Sequence, residues 1–119
     1  MSLEKEWTTK EGYPAQVLIM EAGHRCGYVK IPVSHPYSGI DYEEMDICVH
    51  GGLTYKSTDE DDGGTWIGFD CAHLGDAPDP ELIADSYRHR PVFGGGIIRS
   101  LQFCIDECES MAEQLEAGK

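Results

Sequence analysis

The sequence predicts an α+β fold in which about five mostly antiparallel strands pack against a long C-terminal helix, with one short helix between. Two patterns favour this class. Short apolar segments separated by glycine and proline turns fill residues 14–70, and apolar residues near the C-terminus repeat at steps of three and four. With 119 residues the chain has the size of one domain, divided into an N-terminal segment (1–13), a strand-rich part (14–70), and a loop with helices (71–119).

Five segments have the length and residue types of strands. The first two flank Gly23 and predict a hairpin, because glycine allows the tight turn that joins antiparallel strands. After them, Pro36, Gly39 and several acids predict a long loop held down by aromatic residues. The acids and glycines of residues 57–64 predict a solvated turn. The predicted strands are residues 16–21, 26–31, 47–50, 53–56 and 65–70.

Two helices are predicted after the strands. Asp79 followed by Pro80 and a further acid is typical of a helix N-terminus and predicts a short helix through about Tyr87. The long helix is predicted from near Gly96 to Ala117. Its apolar stripe, which should face the sheet, consists of Ile97, Leu101, Cys104, Cys108, Met111 and Leu115.

Charge and composition restrict the classes of function. The 22 acidic and 9 basic residues give a formal charge of −13, which argues against a surface that neutralises phosphates and makes nucleic acid an unlikely partner. An acidic surface suits a basic protein partner, although plain solubility also explains it. The first residues do not have the pattern of a secretory signal, and no apolar run reaches the ~18 residues that a membrane span needs, so we expect neither. Five cysteines without disulfide-scaffold spacing fit reduced thiols in a cytoplasm.

Histidine and cysteine recur two residues apart, a spacing that places both side chains on one face of a strand. If neighbouring strands brought two such pairs together, their thiolates and imidazoles would suit zinc. The metal candidates are Cys48, His50, Cys71 and His73. The alternative is that these cysteines are small buried hydrophobic residues. The three pairs are His24 with Cys26, Cys48 with His50, and Cys71 with His73.

A second grouping lies where the strand of residues 65–70 ends. Asp70, His73 and Asp76 follow closely, and His50 would join them if its strand paired nearby. Carboxylates beside imidazoles perform general acid–base chemistry or activate a nucleophile such as Cys71. Alternatively, these side chains hydrogen-bond backbone amides in a sharp turn.

The third grouping is basic. Arg88, Arg90 and Arg99 flank the glycines of residues 94–96, before the predicted long helix. Guanidinium groups beside a glycine-rich backbone at a helix N-terminus are a way to hold an anion. The glycines lack the spacing of a nucleotide-binding fingerprint, so a flexible connection is the alternative. The acids of residues 59–62 do not match a calcium-binding loop.

Several motifs together resemble a family of small phage and prophage proteins that has no assigned function. The resemblance covers most of the chain from about Gly23 and implies a phage-type origin rather than an activity. Small acidic phage proteins often act by binding, for instance by blocking a host defence complex or by sequestering its nucleotide signal. The motifs are GHRCGYV (residues 23–29), SHP (34–36), HGGLTY (50–55), WIGFDCAHLGD (66–76) and APDP (77–80).

The sequence therefore predicts a small acidic binding protein in the host cytoplasm, whose partner is a host protein or a small anionic ligand. No residue is assigned to catalysis, and zinc is the only cofactor that the residues suggest. The alternatives are a metal- or thiol-dependent hydrolase that uses the Asp, His and Cys residues, and a virion accessory protein. The predicted ligand- or partner-binding residues are His50, Asp70, His73, Asp76, Arg88, Arg90 and Arg99.

Overall fold

A computed structural model describes residues 1–88 and 95–119. The strands are β1 (Ser2–Thr8), β2 (Pro14–Ile19), β3 (Arg25–Ile31), β4 (Tyr55–Thr58), β5 (Thr65–Asp70), β6 (Asp76–Ala77) and β7 (Ile97–Ile98), and the helix is α1 (Leu101–Ala117). The first five strands form one antiparallel sheet in the order β1-β2-β3-β5-β4. Helix α1 packs mainly on β3 and β2, so the predicted α+β class is confirmed.

The hairpin predicted around Gly23 is formed by β2 and β3. In its turn, the Met20 amide donates to the carbonyl of His24 at 2.8 Å, and the Gly23 amide donates to the carbonyl of Met20 at 2.9 Å. Gly23 has φ of +97°, a conformation that other residues rarely adopt. The last predicted strand is also confirmed as β5, and the strand predicted at residues 53–56 lies two residues later, as β4.

The N-terminal segment contains a strand that the sequence pattern did not reveal. β1 lies at the edge of the sheet, and most of its residues are exposed, so it lacks the apolar run by which the other strands were recognised. Two of its side chains attach it to the rest of the protein. The Trp7 indole Nε1 donates to Glu109 of α1 at 3.1 Å, and Glu4 accepts from Arg25 at 2.7 and 3.0 Å.

The strand predicted at residues 47–50 is wrong. These residues form a loop whose backbone groups bond to side chains of α1 instead of a neighbouring strand. The amide and carbonyl of Cys48 bond to the Gln114 side chain at 2.6 and 2.8 Å, and the His50 amide donates to Glu107 Oε1 at 2.8 Å. The local pattern could not show that the helix would satisfy these groups.

The loop of residues 32–46 is held down as predicted. It contains two short 3₁₀ turns, and Tyr37, Ile40 and Tyr42 pack partly buried against the core. His35 is buried at its start, where Nδ1 accepts from the Tyr37 amide at 2.9 Å. Nε2 therefore carries the proton and donates to the Leu115 carbonyl at 2.8 Å, near the end of α1.

The core lies between one face of the sheet and α1. Side chains from β2, β3 and β5 meet Cys104, Cys108, Met111, Ala112 and Leu115 of the helix. The helix crosses the sheet closely at Gly27, where an added Cβ would lie 2.5 Å from the Phe69 ring and 2.9 Å from Cys108 Sγ. The absence of a side chain at Gly27 therefore sets the distance between helix and sheet.

The predicted helix boundaries need two corrections. α1 begins at Leu101 rather than near Gly96, because Ser100 caps its first turn and the preceding β7 pairs in parallel with β6. The predicted short helix is two 3₁₀ turns, Pro80–Leu82 and Asp85–Tyr87, although Asp79 caps the first turn as expected. No helix within residues 1–88 and 95–119 has the length and apolar character to span a membrane.

Candidate functional site

The polar cluster at the end of β5 is centred on the carboxylate of Asp76. Its side chain is 1% exposed. It accepts hydrogen bonds from His50 Nε2 at 2.9 Å, Arg99 Nε at 2.8 Å and the His73 amide at 3.1 Å. Burial alone would raise the pKa of this carboxyl, but the hydrogen bonds from His50, Arg99 and His73 outweigh burial and lower the pKa to about 2.

His50 joins the cluster from the loop after residue 46. Its ring packs edge-on against Phe103, with centroids 5.2 Å apart, and against His73, with centroids 6.0 Å apart. The Arg99 guanidinium lies 5.1 Å from the centre of the same Phe103 ring. The imidazole and the guanidinium are therefore held by one carboxylate and one aromatic ring, which fixes the loop against β6 and α1.

His73 connects this cluster to Asp70. Its Nε2 lies 3.2 Å from Asp70 Oδ1, which would be an ion pair only if the ring were protonated. Nε2 is shielded from solvent and makes no hydrogen bond to a described residue. The ring lies against Gly51, where a side chain would collide with it. Asp70 also accepts from Thr54 Oγ1 at 3.0 Å and from the Ala72 amide at 3.0 Å.

The cluster contains one carboxylate–imidazole pair of the kind that acid–base chemistry uses. Asp76 orients the His50 ring, as a carboxylate does for a general base, and His50 Nδ1 makes no hydrogen bond to any residue that the structure describes. The predicted nucleophile Cys71 is not available. It is 2% exposed, and its Sγ lies 3.7 Å from Cys104 Sγ in the core. The contact with Cys104 and burial both raise the pKa of the Cys71 thiol.

The predicted zinc set Cys48, His50, Cys71 and His73 is not brought together. Cys71 points into the core, and Cys48 is exposed on a loop that bonds to α1 through its backbone. The alternation rule that placed each pair on one face does not apply, because His50 and His73 lie in loops. Within residues 1–88 and 95–119, no group of three or more His, Cys, Asp or Glu side chains could hold a metal ion.

The predicted arginine group also separates. Arg99 belongs to the Asp76 cluster, whereas Arg88 is exposed and pairs with Asp85 at 2.8 Å. Arg90 and Gly94 lie outside the described residues. Because α1 begins at Leu101, Gly95 and Gly96 do not form its N-terminus, and the helix N-terminus expected to hold an anion is not at these two glycines.

Two residues of the cluster were missed from the sequence. Phe103 and Glu107 of α1 position the ring and the backbone of His50. In the sequence Phe103 reads as a packing residue, and Glu107 is one of many acids. Their spacing of four residues, which places them on one side of the helix, is the only signal that could have linked them.

A separate cleft of about 450 Å³ lies at the far end of β3, beside Ile31 and the C-terminus of α1. Its two cations are already paired. Lys30 contacts Asp62 at 2.6 Å and Asp59 at 3.1 Å, and Lys119 contacts Glu116 at 3.3 Å. None of the predicted site residues lines this cleft.

Comparison of the chain with protein-family models, with curated proteins and with solved structures finds no match. The residues of the cluster and the distribution of charge therefore provide the basis for assigning a function.

Proposed function

We propose that this protein is a small acidic binding protein whose partner is a basic protein. The proposal rests on the observation that most basic side chains are already bonded within the protein. Most of the lysines and arginines that the structure describes contact an oxygen of the protein itself, and the others are Lys5 and Lys10. The engaged residues are Arg25, Lys30, Lys56, Arg88, Arg99 and Lys119.

The surface that remains for a partner is therefore dominated by carboxylates. Helix α1 contains no lysine or arginine, although Glu107, Glu109 and Glu116 accept hydrogen bonds from other parts of the protein. Its acids are Asp106, Glu107, Glu109, Glu113 and Glu116. A surface of one sign attracts a partner of the opposite sign and raises the association rate. With a formal charge of −13, the complementary partner is basic.

The Asp76 cluster fits a protein partner better than a nucleotide signal. It offers one guanidinium and two imidazoles, but the carboxylates of Asp70, Asp76 and Glu107 lie among them. A phosphate group would meet these carboxylates at short range, which costs binding free energy. The phage-type resemblance adds that the partner would be a host protein, such as a component of a defence complex that the protein blocks.

Affinity capture from host-cell lysate tests the proposal. The tagged full-length protein is compared with an unrelated protein of equal size and charge, and any captured protein is purified and titrated at increasing salt. We expect a basic partner whose affinity falls as salt rises, because screening weakens charge attraction. Extraction of the captured complexes should release no nucleotide. No enrichment over the control protein, or a partner whose binding is independent of salt, would contradict the proposal.

A further inference from the structure

The face of the sheet opposite α1 has no extensive contact with another helix or strand among the described residues. It is not open throughout, because Cys26 and Tyr28 on this face are 3% and 7% exposed. Gly27 points towards the helix, so its neighbour Tyr28 points to the opposite face. Tyr28 shares that face with Gly68, because a Cβ on Gly68 would collide with the Tyr28 ring. Among the elements in residues 1–88 and 95–119, only α1 has an extensive contact with the sheet from outside it.

One row of residues crosses all five strands on this open face. Their pairing follows directly from the strand register, and the row covers about 19 Å at the usual strand spacing of ~4.8 Å. That length equals about six residues of an extended peptide. The row, called here the open-face row, consists of Glu6, Gln16, Tyr28, Gly68 and Tyr55.

At the aromatic end of the open-face row, Tyr55 is accessible and Tyr28 is buried. Tyr28 lies over Gly68, and its ring centroid is 5.0 Å from that of Tyr55 at an interplanar angle of 79°. Tyr28 is 7% exposed, whereas Tyr55 is 41% exposed, so Tyr28 forms the base and Tyr55 the accessible wall. Asp70 lies on the same face two residues after Gly68, and its carboxylate is part of the Asp76 cluster network.

One cation of the protein, the Lys30 ammonium, is already bound on this face. The Lys30 ammonium lies 5.3 Å from the centre of the Trp66 ring and is held by the carboxylates of Asp59 and Asp62. An aromatic ring beside carboxylates is the combination that attracts a cation through both charge and the π-face. Tyr55 lies opposite Gly68, two residues before Asp70, so an aromatic ring and a carboxylate are neighbours by register here as well. Asp70 accepts from Thr54 Oγ1 and the Ala72 amide, and in the described part of the chain no lysine or arginine forms an ion pair with it.

We propose that the open-face row is the docking surface for an arginine-bearing segment of the basic partner, in which a guanidinium stacks on Tyr55 beside Asp70. This proposal rests on the proposed function. Arginine is favoured over lysine because its planar group stacks on an aromatic ring while it donates to a carboxylate. A second copy of this chain is disfavoured as the occupant, since each copy has a formal charge of −13.

Tryptophan fluorescence with a defined probe tests the location. The probe is a synthetic Arg-Gly repeat peptide, titrated at low salt into the full-length protein. Trp66 lies on the open face, whereas Trp7 contacts Glu109 of the helix on the other side. We expect the peptide to change the emission of the wild type and of Trp7→Phe, and to leave the emission of Trp66→Phe unchanged.

Paired substitutions test which groups bind. Tyr55→Phe keeps the ring and should keep the affinity, whereas Tyr55→Leu should weaken binding by about threefold to tenfold. Glu6→Gln on the open face should weaken binding more than Glu113→Gln on the helix, although both remove one charge. A lysine repeat peptide should bind more weakly than the arginine peptide. Circular dichroism confirms that each variant is folded.

The outcomes separate the two proposals. Equal weakening by Glu6→Gln and Glu113→Gln, together with an affinity in Tyr55→Leu like that of the wild type, would overturn the docking surface and leave the basic partner standing. A peptide that does not bind at low salt would also overturn the docking surface. The proposed function is judged separately, by whether affinity capture recovers a basic partner.

Discussion

Replacing the Asp76 carboxylate by an amide should destabilise the protein at neutral pH. Asp76→Asn keeps the shape of the side chain but removes its charge, and it turns one acceptor into a donor that faces the groups donating from His50, Arg99 and His73. The fall of the pKa from its ordinary value of 3.8 to about 2 corresponds to about 2.5 kcal/mol at pH 7. We therefore expect a loss of about 2–3 kcal/mol in the free energy of unfolding.

This loss should depend on pH with a defined sign. The folded protein holds the pKa of Asp76 below its ordinary value, so the carboxylate stabilises the fold at neutral pH, and this contribution is lost as pH falls from about 4 through about 2. The difference in stability between wild type and Asp76→Asn should shrink over the same range. Other carboxylates also titrate there, but they are common to both proteins and cancel in the difference.

Urea unfolding monitored by circular dichroism measures the effect at pH 7 and at steps down to pH 2. Asp61→Asn is the matched control, because Asp61 is exposed on the β4–β5 turn and should change stability by less than about 0.5 kcal/mol. Equal stability of Asp76→Asn and the wild type at pH 7 would refute the reasoning. A difference that stays constant on acidification would refute the assignment of the effect to the charge.

Three further predictions follow from the packing. Gly27→Ala should lower the free energy of unfolding by about 1–3 kcal/mol, because the added methyl group would overlap the Phe69 ring and the Cys108 thiol. Gly39→Ala, which has open space around it, should leave the free energy of unfolding nearly unchanged. In the native protein one thiol, that of the exposed Cys48, should react rapidly with a thiol reagent, and all five should react after unfolding; several fast native thiols would contradict the burial of the rest. Tyr13→Phe should raise the pKa of Glu116 in an NMR titration, because the hydroxyl bond of 2.6 Å lowers it; an unchanged pKa would exclude this hydrogen bond in solution.

The sequence patterns identified the elements that are buried on the core side. β5 and α1 have periodic apolar residues, which any fold must bury, so their presence and type follow from local sequence. Two elements were predicted wrongly because their environment is not local. The strand β1 was not predicted, and residues 47–50 were predicted as a strand. The first is exposed at a sheet edge, and the second satisfies its backbone with helix side chains. Neither property is visible in a local window.

The candidate site was predictable in composition but not in connections. The sequence named His50, Asp70, His73, Asp76 and Arg99 among its candidates, because chemically active residue types are concentrated there. The same prediction also included Arg88, Arg90, Cys48 and Cys71. It did not show that Asp76 is the common acceptor. It also left open whether Cys71 faces the loop or the core, and the structure places it against Cys104.

By itself, the sequence determined the α+β class, the acidic charge and the segment in which β5 gives way to a polar turn, because composition and periodicity are properties of consecutive residues. The tertiary structure decided which distant residues meet. Strand register alone aligns Glu6 with Tyr55 across the whole sheet, and the packing of α1 alone decides which face of that sheet lies in the core. Both depend on contacts between residues far apart in the chain, and no local pattern records them.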